Sequence, residues 1–160
     1  MRLTYLLLFC LAALLPVHAQ NAIGKWQTYL SYHNPTRCEV AGNTLFILAN
    51  GGLYAYDKED TSTHIYSKAL SLSDTDISYI AYQPAYSILV IVYSNANIDL
   101  LENEEYVYNL PDYKNKSMTQ DKSVNHVCFH KESAYLSTAS GILCINLKKR
   151  EISNYYALNK

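Results

Sequence analysis

The chain has 160 residues, and its 13 basic and 14 acidic side chains give a formal net charge of −1 at pH 7. This balance excludes the strongly basic nucleic-acid-binding proteins, which need an excess of Lys and Arg to neutralise phosphates. Beyond the N-terminal leader no apolar stretch approaches the ~18 residues of a membrane-spanning helix, so no further transmembrane segment is expected.

The N-terminus has the three parts of a secretory signal peptide. Arg2 supplies a positive start, residues 3–15 form an apolar core, and the sequence up to Ala19 fits a small-residue cleavage pattern. We therefore expect cleavage between Ala19 and Gln20. Residues 1–19 are then a signal peptide, and residues 20–160 are expected to be exported.

Residues 24–30 predict a single strand with no hairpin partner beside it. The segment precedes the first repeat of the chain as an outer strand precedes the next unit of a ring. Rings of β-sheets often close by giving the last unit a strand from the other end of the chain. We interpret residues 24–30 as such a closing strand.

Three related units follow, with equivalent apolar positions at Leu53, Ile98 and Ile142, 45 and 44 residues apart. Each unit predicts four short strands separated by Gly, Asn and Ser turns, and no helical periodicity follows the leader. A four-stranded unit that recurs every ~40 to 50 residues is typical of a β-propeller blade. The fold class is therefore all-β, a partial β-propeller of about three four-stranded antiparallel blades plus an N-terminal closing strand. The blades are predicted at residues 36–67, 77–110 and 124–156, and residues 20–160 are expected to be the N-terminal part of a β-propeller domain.

The connections predict one possible binding face. In a propeller, the links between blades and the turns between second and third strands emerge on the same side. Loops on a rigid scaffold carry function more often than the scaffold does. The candidate binding residues in these loops are Asn50, Asp74, Asp76, Asn95, Lys114, Lys116 and Ser140. The alternative is that they are solvated connectors.

Enzyme chemistry has little support in the residues. Asp74, Asp76 and Asp99 supply carboxylates, but carboxylates in turns usually accept backbone hydrogen bonds. His126, Cys128 and His130 alternate on one strand, where the two histidines stand roughly 13 Å apart, too far for a shared metal. We expect no catalytic, metal or cofactor site, and free, mostly buried thiols at Cys38, Cys128 and Cys144.

A complete ring of six or seven such units needs roughly 270 to 315 residues, whereas this chain supplies about three blades. The outer faces of the first and last blades would then have no partner within the chain. We therefore expect either a fragment of a longer protein or assembly with other chains.

Several segments resemble known propellers. Residues 45–57 and 70–77 are similar to the two-component-regulator type of propeller repeat, with Gly52-Leu53, Tyr56-Asp57 and the Leu-Ser-Asp link before Ile77. Residues 26–32, 56–60, 72–77 and 92–101 resemble the PorZ N-terminal β-propeller family. The second and third blades lack the Gly-Leu and Tyr-Asp motifs, because repeats in a ring commonly diverge in sequence.

The resemblance to the PorZ family implies a non-enzymatic interaction module of the type IX secretion attachment complex. Its implied location is the periplasm or cell surface of a Gram-negative bacterium. The implied partners are proteins of that complex or anionic lipopolysaccharide. The resemblance to the regulator repeats keeps an alternative open, the periplasmic part of a hybrid two-component regulator that binds an oligosaccharide.

Overall fold

The structure, a computed structural model, describes residues 33–158. Within this range, twelve strands form three four-stranded antiparallel sheets, each with its strands in sequence order. The predicted all-β fold of three four-stranded blades is confirmed. The predicted signal peptide, its cleavage site at Ala19 and Gln20, and the closing strand at residues 24–30 lie outside the described residues.

Each sheet is one blade built of four consecutive strands. Blade one contains β1 (Pro35–Ala41), β2 (Thr44–Ala49), β3 (Gly52–Asp57) and β4 (Thr63–Tyr66). Blade two contains β5 (Ile77–Gln83), β6 (Ile88–Tyr93), β7 (Ile98–Glu102) and β8 (Tyr106–Asn109). Blade three contains β9 (Val124–His130), β10 (Ser133–Thr138), β11 (Gly141–Asn146) and β12 (Glu151–Ala157).

Short turns fix the register within each blade. Ala49 pairs with Gly52, which leaves Asn50 and Gly51 as a two-residue loop in which both residues have positive φ, 48° and 73°. Asn-Gly is the favoured sequence for this turn because the pair accepts left-handed backbone conformations at least cost. The loop therefore sets which side chains of β2 and β3 face each neighbouring blade.

Alternation along the strands produces two cores, one on each side of blade two. Successive side chains of a strand point to opposite faces, so Val90 faces blade three while Leu89 and Ile91 face blade one. All six residues of β6 are buried for this reason. Phe46 and Leu48 complete the core with blade one, and Leu136 and Leu143 complete the core with blade three.

The first strands lie side by side, with β5 between β1 and β9. Each carries a β-bulge near its start, because the register skips one residue there: Thr36, Ser78 and Asn125. A bulge bends its strand and redirects the side chain that follows. The same irregularity thus recurs at the same place in all three blades.

The connections also contain short helical turns that the sequence did not predict. A 3-10 turn, Pro84–Tyr86, lies between β5 and β6, and a single α-helical turn, α1 (Asp112–Asn115), follows blade two. Tyr113 of α1 is buried in the core between blades two and three. One turn is too short to show helical periodicity in a sequence, and its apolar contact comes from tertiary packing.

The cysteine expectation is partly wrong. All three described cysteines are free, but Cys38 and Cys128 are exposed and only Cys144 is buried. Cys128 and Cys144 both pair with Tyr135 from opposite sides, so they lie on non-adjacent strands. Cys38 and Cys128 lie on the open sides of blades one and three, where no further blade covers them within the described range.

Candidate functional site

The loops that follow second strands and fourth strands lie at one end of the blades, here called the upper face. It comprises the turns 50–51, 94–97 and 139–140 and the two links 67–76 and 110–123. All seven predicted binding residues lie on this face. Within the described range, no helix is long and apolar enough to cross a membrane.

Asp74 connects the two links. Its carboxylate accepts hydrogen bonds from Lys114 Nζ at 2.8 Å and from Asn95 Nδ2, and Lys68 Nζ lies 3.5 Å away. The hydrogen bonds from Lys114 and then Asn95 hold the pKa of Asp74 well below its usual value, because both stabilise the charged form. Three of the predicted residues, Asp74, Asn95 and Lys114, therefore form one cluster.

Asp76 joins blade one to blade two through its backbone. It has a left-handed conformation, with φ of 61°, and its carbonyl accepts a hydrogen bond from Ser94 N at 2.9 Å. The next residue, Ile77, donates from its N–H to Gly51 O, also at 2.9 Å. A Cβ at Gly51 would lie 2.8 Å from the Asp76 carboxylate, which would have to shift, and the φ of 73° favours glycine at this position.

Asp99 of β7 is fully buried beneath the first link, and its carboxylate holds that link against blade two. It accepts hydrogen bonds from Tyr93 Oη at 2.5 Å, from Ser73 N at 2.9 Å and from Asn109 Nδ2 at 2.8 Å. Burial, followed by the hydrogen bond to Asp99, raises the pKa of Tyr93. Both oxygens of the buried carboxylate therefore have hydrogen-bond donors, which offset the cost of removing a polar group from water. Asp99 therefore fixes the first link onto blade two.

The other predicted residues lie apart from this cluster. Asn50 Nδ2 donates to His33 O at 2.7 Å, where the chain enters blade one. Lys116 Nζ lies 4.0 Å from the centre of the Tyr155 ring, and Ser140 Oγ lies 2.6 Å from Tyr155 Oη. Lys116 and Ser140 thus form a second cluster, above blade three.

Several clefts open on the upper face, among them one at each of the two clusters. The first, of about 270 Å³, lies between blades one and two and is lined by Gly51, Leu72, Asp74 and Asp76 among others. The second, of about 710 Å³, lies above blade three and is lined by Lys116, Met118, Ser140, Tyr155 and Leu158 among others. Each cleft adjoins one of the two clusters, and both offer mixed polar and apolar walls.

The lysines of the second link make contacts with other residues of the chain. Lys122 Nζ donates to the carbonyl oxygens of Lys114 and Lys116, at 2.6 and 2.5 Å, and so caps the end of α1. Lys114 pairs with Asp74, and Lys116 lies over Tyr155. The link is therefore an ordered part of the upper face.

The residues considered for metal binding and catalysis have structural contacts. No group of three His, Cys, Asp or Glu residues that could hold a metal occurs between residues 33 and 158. His126 Nδ1 instead lies 3.0 Å from Tyr79 Oη of the neighbouring blade. Asp74 and Asp99 accept hydrogen bonds from residues of the links, and these bonds position the loops.

Two important residues were missed by the sequence interpretation. Tyr113 is buried, although its link was expected to be a polar connector, and Asp99 was considered only as an acid or base. Asp99 gave a usable signal, a charged residue within the apolar strand sequence Ile98-Asp99-Leu100-Leu101. For Tyr113, the local signals of a helical start are the preceding Pro111 and the acidic Asp112 in the first turn.

Comparisons with known proteins identify one family. Residues 45–160 match the family described as the TSS9, PorZ, N-terminal β-propeller domain. None of the curated proteins is significantly similar to the chain in sequence.

Similar folds occur among solved structures. A structure of PorZ, described as an essential bacterial surface component of the type IX secretion system of Porphyromonas gingivalis, is 32% identical, with a TM-score of 0.78. The match covers 82% of this chain and 18% of the PorZ chain, so this chain spans under a fifth of that protein. Two structures of Citrobacter koseri AztD are 17% identical, each with a TM-score of 0.55, and cover 77% and 79% of this chain and 34% of AztD. At that identity the AztD matches show a shared fold alone.

Proposed function

The chain belongs to the PorZ N-terminal β-propeller family, and on that basis we propose that it is an exported, non-enzymatic interaction module of a type IX secretion attachment complex. The observation that carries the proposal is the family match over residues 45–160. The similarity to PorZ over 82% of the chain supports it. PorZ is described as a surface component, so we place the module at the cell surface, after removal of residues 1–19.

We propose that the module contacts protein partners of the complex through its upper face. The loops there are held in one arrangement by Asp74 and Asp99, so a partner would meet a preformed surface. Preformed surfaces bind with a smaller loss of conformational entropy than mobile ones. Asn50, Asp76, Lys116 and Ser140 lie on the same face and extend it across all three blades.

Anionic lipopolysaccharide is the second proposed partner. Lys68 and Lys116 are basic residues of the upper face, and each lines one of the two clefts described above. Lys68 is more than half exposed and only loosely paired with Asp74. Sensing of an oligosaccharide by a two-component regulator is the weaker alternative, because the family match favours the secretion role.

The proposal can be tested by charge reversal on opposite faces. Lys68 lies on the upper face, while Lys148 is an exposed lysine in the turn between β11 and β12, at the opposite end of blade three. We expect Lys68→Glu to reduce co-purification of attachment-complex proteins with the full chain from outer-membrane extracts by at least several-fold. Lys148→Glu should leave it unchanged. Equal recovery with both variants would contradict the role of the upper face, and no recovery of such proteins by the wild-type chain would contradict the proposed function.

A further inference from the structure

The bulges of the first strands place three side chains in line across the blades. Arg37, Tyr79 and His126 each follow the bulged residue of β1, β5 and β9, and their strand partners Leu48, Val92 and Ser137 lie near the upper end of each second strand. The side chain after a bulge is redirected, and bulges are common next to functional sites. The three residues therefore occupy one structural position in three consecutive blades.

The Tyr79 side chain contacts both of the others. The Arg37 guanidinium carbon lies 3.7 Å from the centre of the Tyr79 ring, and Tyr79 Oη lies 3.0 Å from His126 Nδ1. The Tyr79 and His126 rings meet edge to face, at 89°. The contacts run from blade one across blade two to blade three, where the first strands lie side by side.

Arg37 has no acidic partner among residues 33–158. Its stacking on Tyr79 occupies the face of the guanidinium, and the structure shows no hydrogen bond or ion pair at its N–H groups in that range. Glu39, two residues further along β1, is directed to Tyr82 N, 3.3 Å away. By contrast, Arg150 also lies over a tyrosine ring, 4.3 Å from the centre of Tyr108, but it is paired with Glu102 at 2.6 Å.

We propose that Arg37, Tyr79 and His126 form a binding site for an anionic group, a phosphate or a carboxylate. A guanidinium stacked by its face keeps the edge donors that bind such groups in a bidentate manner. The Tyr79 hydroxyl holds one ring nitrogen of His126, and the exposed imidazole keeps its other nitrogen for the ligand. The site lies where three blades meet at their first strands, and it does not depend on the secretion role.

The test is a calorimetric titration of the full chain with inorganic phosphate, with succinate and with maltose, at constant ionic strength. We expect saturable binding of phosphate or of succinate. Binding of phosphate would identify the ligand group as a phosphate, and binding of succinate would identify it as a carboxylate. Arg37→Gln should weaken binding at least roughly tenfold, because a hydrogen bond between charged groups is stronger than one between neutral groups. Arg150→Gln is the matched control and should bind like the wild type.

A second variant separates loss of the site from loss of the fold. Tyr79→Phe keeps the ring beneath Arg37 and removes only the hydroxyl that holds His126, so it should bind the anion several-fold more weakly and retain the circular dichroism of the wild type. Equal affinity in Arg37→Gln and the wild type would overturn the proposal. An equal loss of anion affinity in Arg37→Gln and Arg150→Gln would also overturn the proposal. Binding of maltose without binding of either anion would overturn it as well.

Discussion

At the scale of single residues, Asp74 joins separate loops of the upper face. It bonds to Asn95 of the adjoining turn and to Lys114 of the second link, which lies 40 positions away in sequence. Its side chain is only 13% exposed. A partly buried carboxylate with two side-chain donors positions loops more firmly than an exposed ion pair does.

We expect Asp74→Asn to lower the free energy of unfolding at neutral pH by about 1 kcal/mol, a modest value because the Lys114 ammonium is partly exposed. The pKa of Asp74 is lowered in the folded state, so its contribution is fully present above the ordinary Asp pKa of about 4 and is lost as the pH falls below it. Urea unfolding at pH 7 and near pH 3 should show that the difference between variant and wild type narrows in acid.

The control for this titration is Asp60→Asn. Asp60 is an exposed turn residue whose carboxylate accepts a local hydrogen bond from Ser62 N. The Asp60→Asn substitution should lower the free energy of unfolding at pH 7 by less than Asp74→Asn does. A difference between Asp74→Asn and the wild type that stays constant from pH 7 to pH 3 would contradict the assigned ion pair.

The sequence indicated which residues lie on the upper face, but it did not indicate their partners. Turn residues such as Asn50 and Asn95 are recognisable because their backbone conformations select particular amino acids. The bond from Ser73 to Asp99 joins residues 26 positions apart, and the burial of Tyr113 depends on how two blades pack. Such long-range contacts depend on packing geometry, which the sequence of one loop does not contain.

At the scale of elements, blade two differs from its neighbours because both of its faces are buried. Ile91 and Ile47 occupy equivalent positions on β6 and β2, and both face toward the preceding blade. Ile91 is fully buried against blade one, whereas Ile47 is only partly buried. The difference arises because Ile91 has a preceding blade to pack against, whereas Ile47 has none within the described residues.

We expect Ile91→Ala to destabilise the chain by about 2 to 5 kcal/mol, the usual cost of a cavity in a packed core. Ile47→Ala should cost less than half as much, because no described element packs over it. Chemical denaturation of the two variants and the wild type measures this difference. Similar losses in the two variants would show that another element covers the outer face of blade one, contrary to this prediction.

The strands could be predicted closely because alternation and turn chemistry both act locally. The observed β2 and β3, Thr44–Ala49 and Gly52–Asp57, are short strands separated by an Asn-Gly turn, in agreement with the predicted pattern of short strands and Gly, Asn and Ser turns. The bulges at Thr36, Ser78 and Asn125 were not predicted. A bulge has little sequence signature when the residue that it contains is a common polar one.

At the scale of the whole molecule, the three blades repeat one plan with different surfaces. Each blade directs an apolar face toward the preceding blade, and in blade one this face includes Val40, Leu45 and Ile47, of which Val40 is more than half exposed. Exposed apolar faces of this kind mark interaction surfaces. The repetition therefore predicts that the outer face of blade one is an interaction surface.

The most direct test of the secretion role is deletion of the gene in its own bacterium, with measurement of type IX cargo proteins at the cell surface. We predict that the deletion strain loses surface-attached cargo and that the intact gene restores it. A restored gene with Lys148→Glu should also recover attachment, whereas Lys68→Glu should recover less. Normal attachment of cargo in the deletion strain would contradict the proposed role.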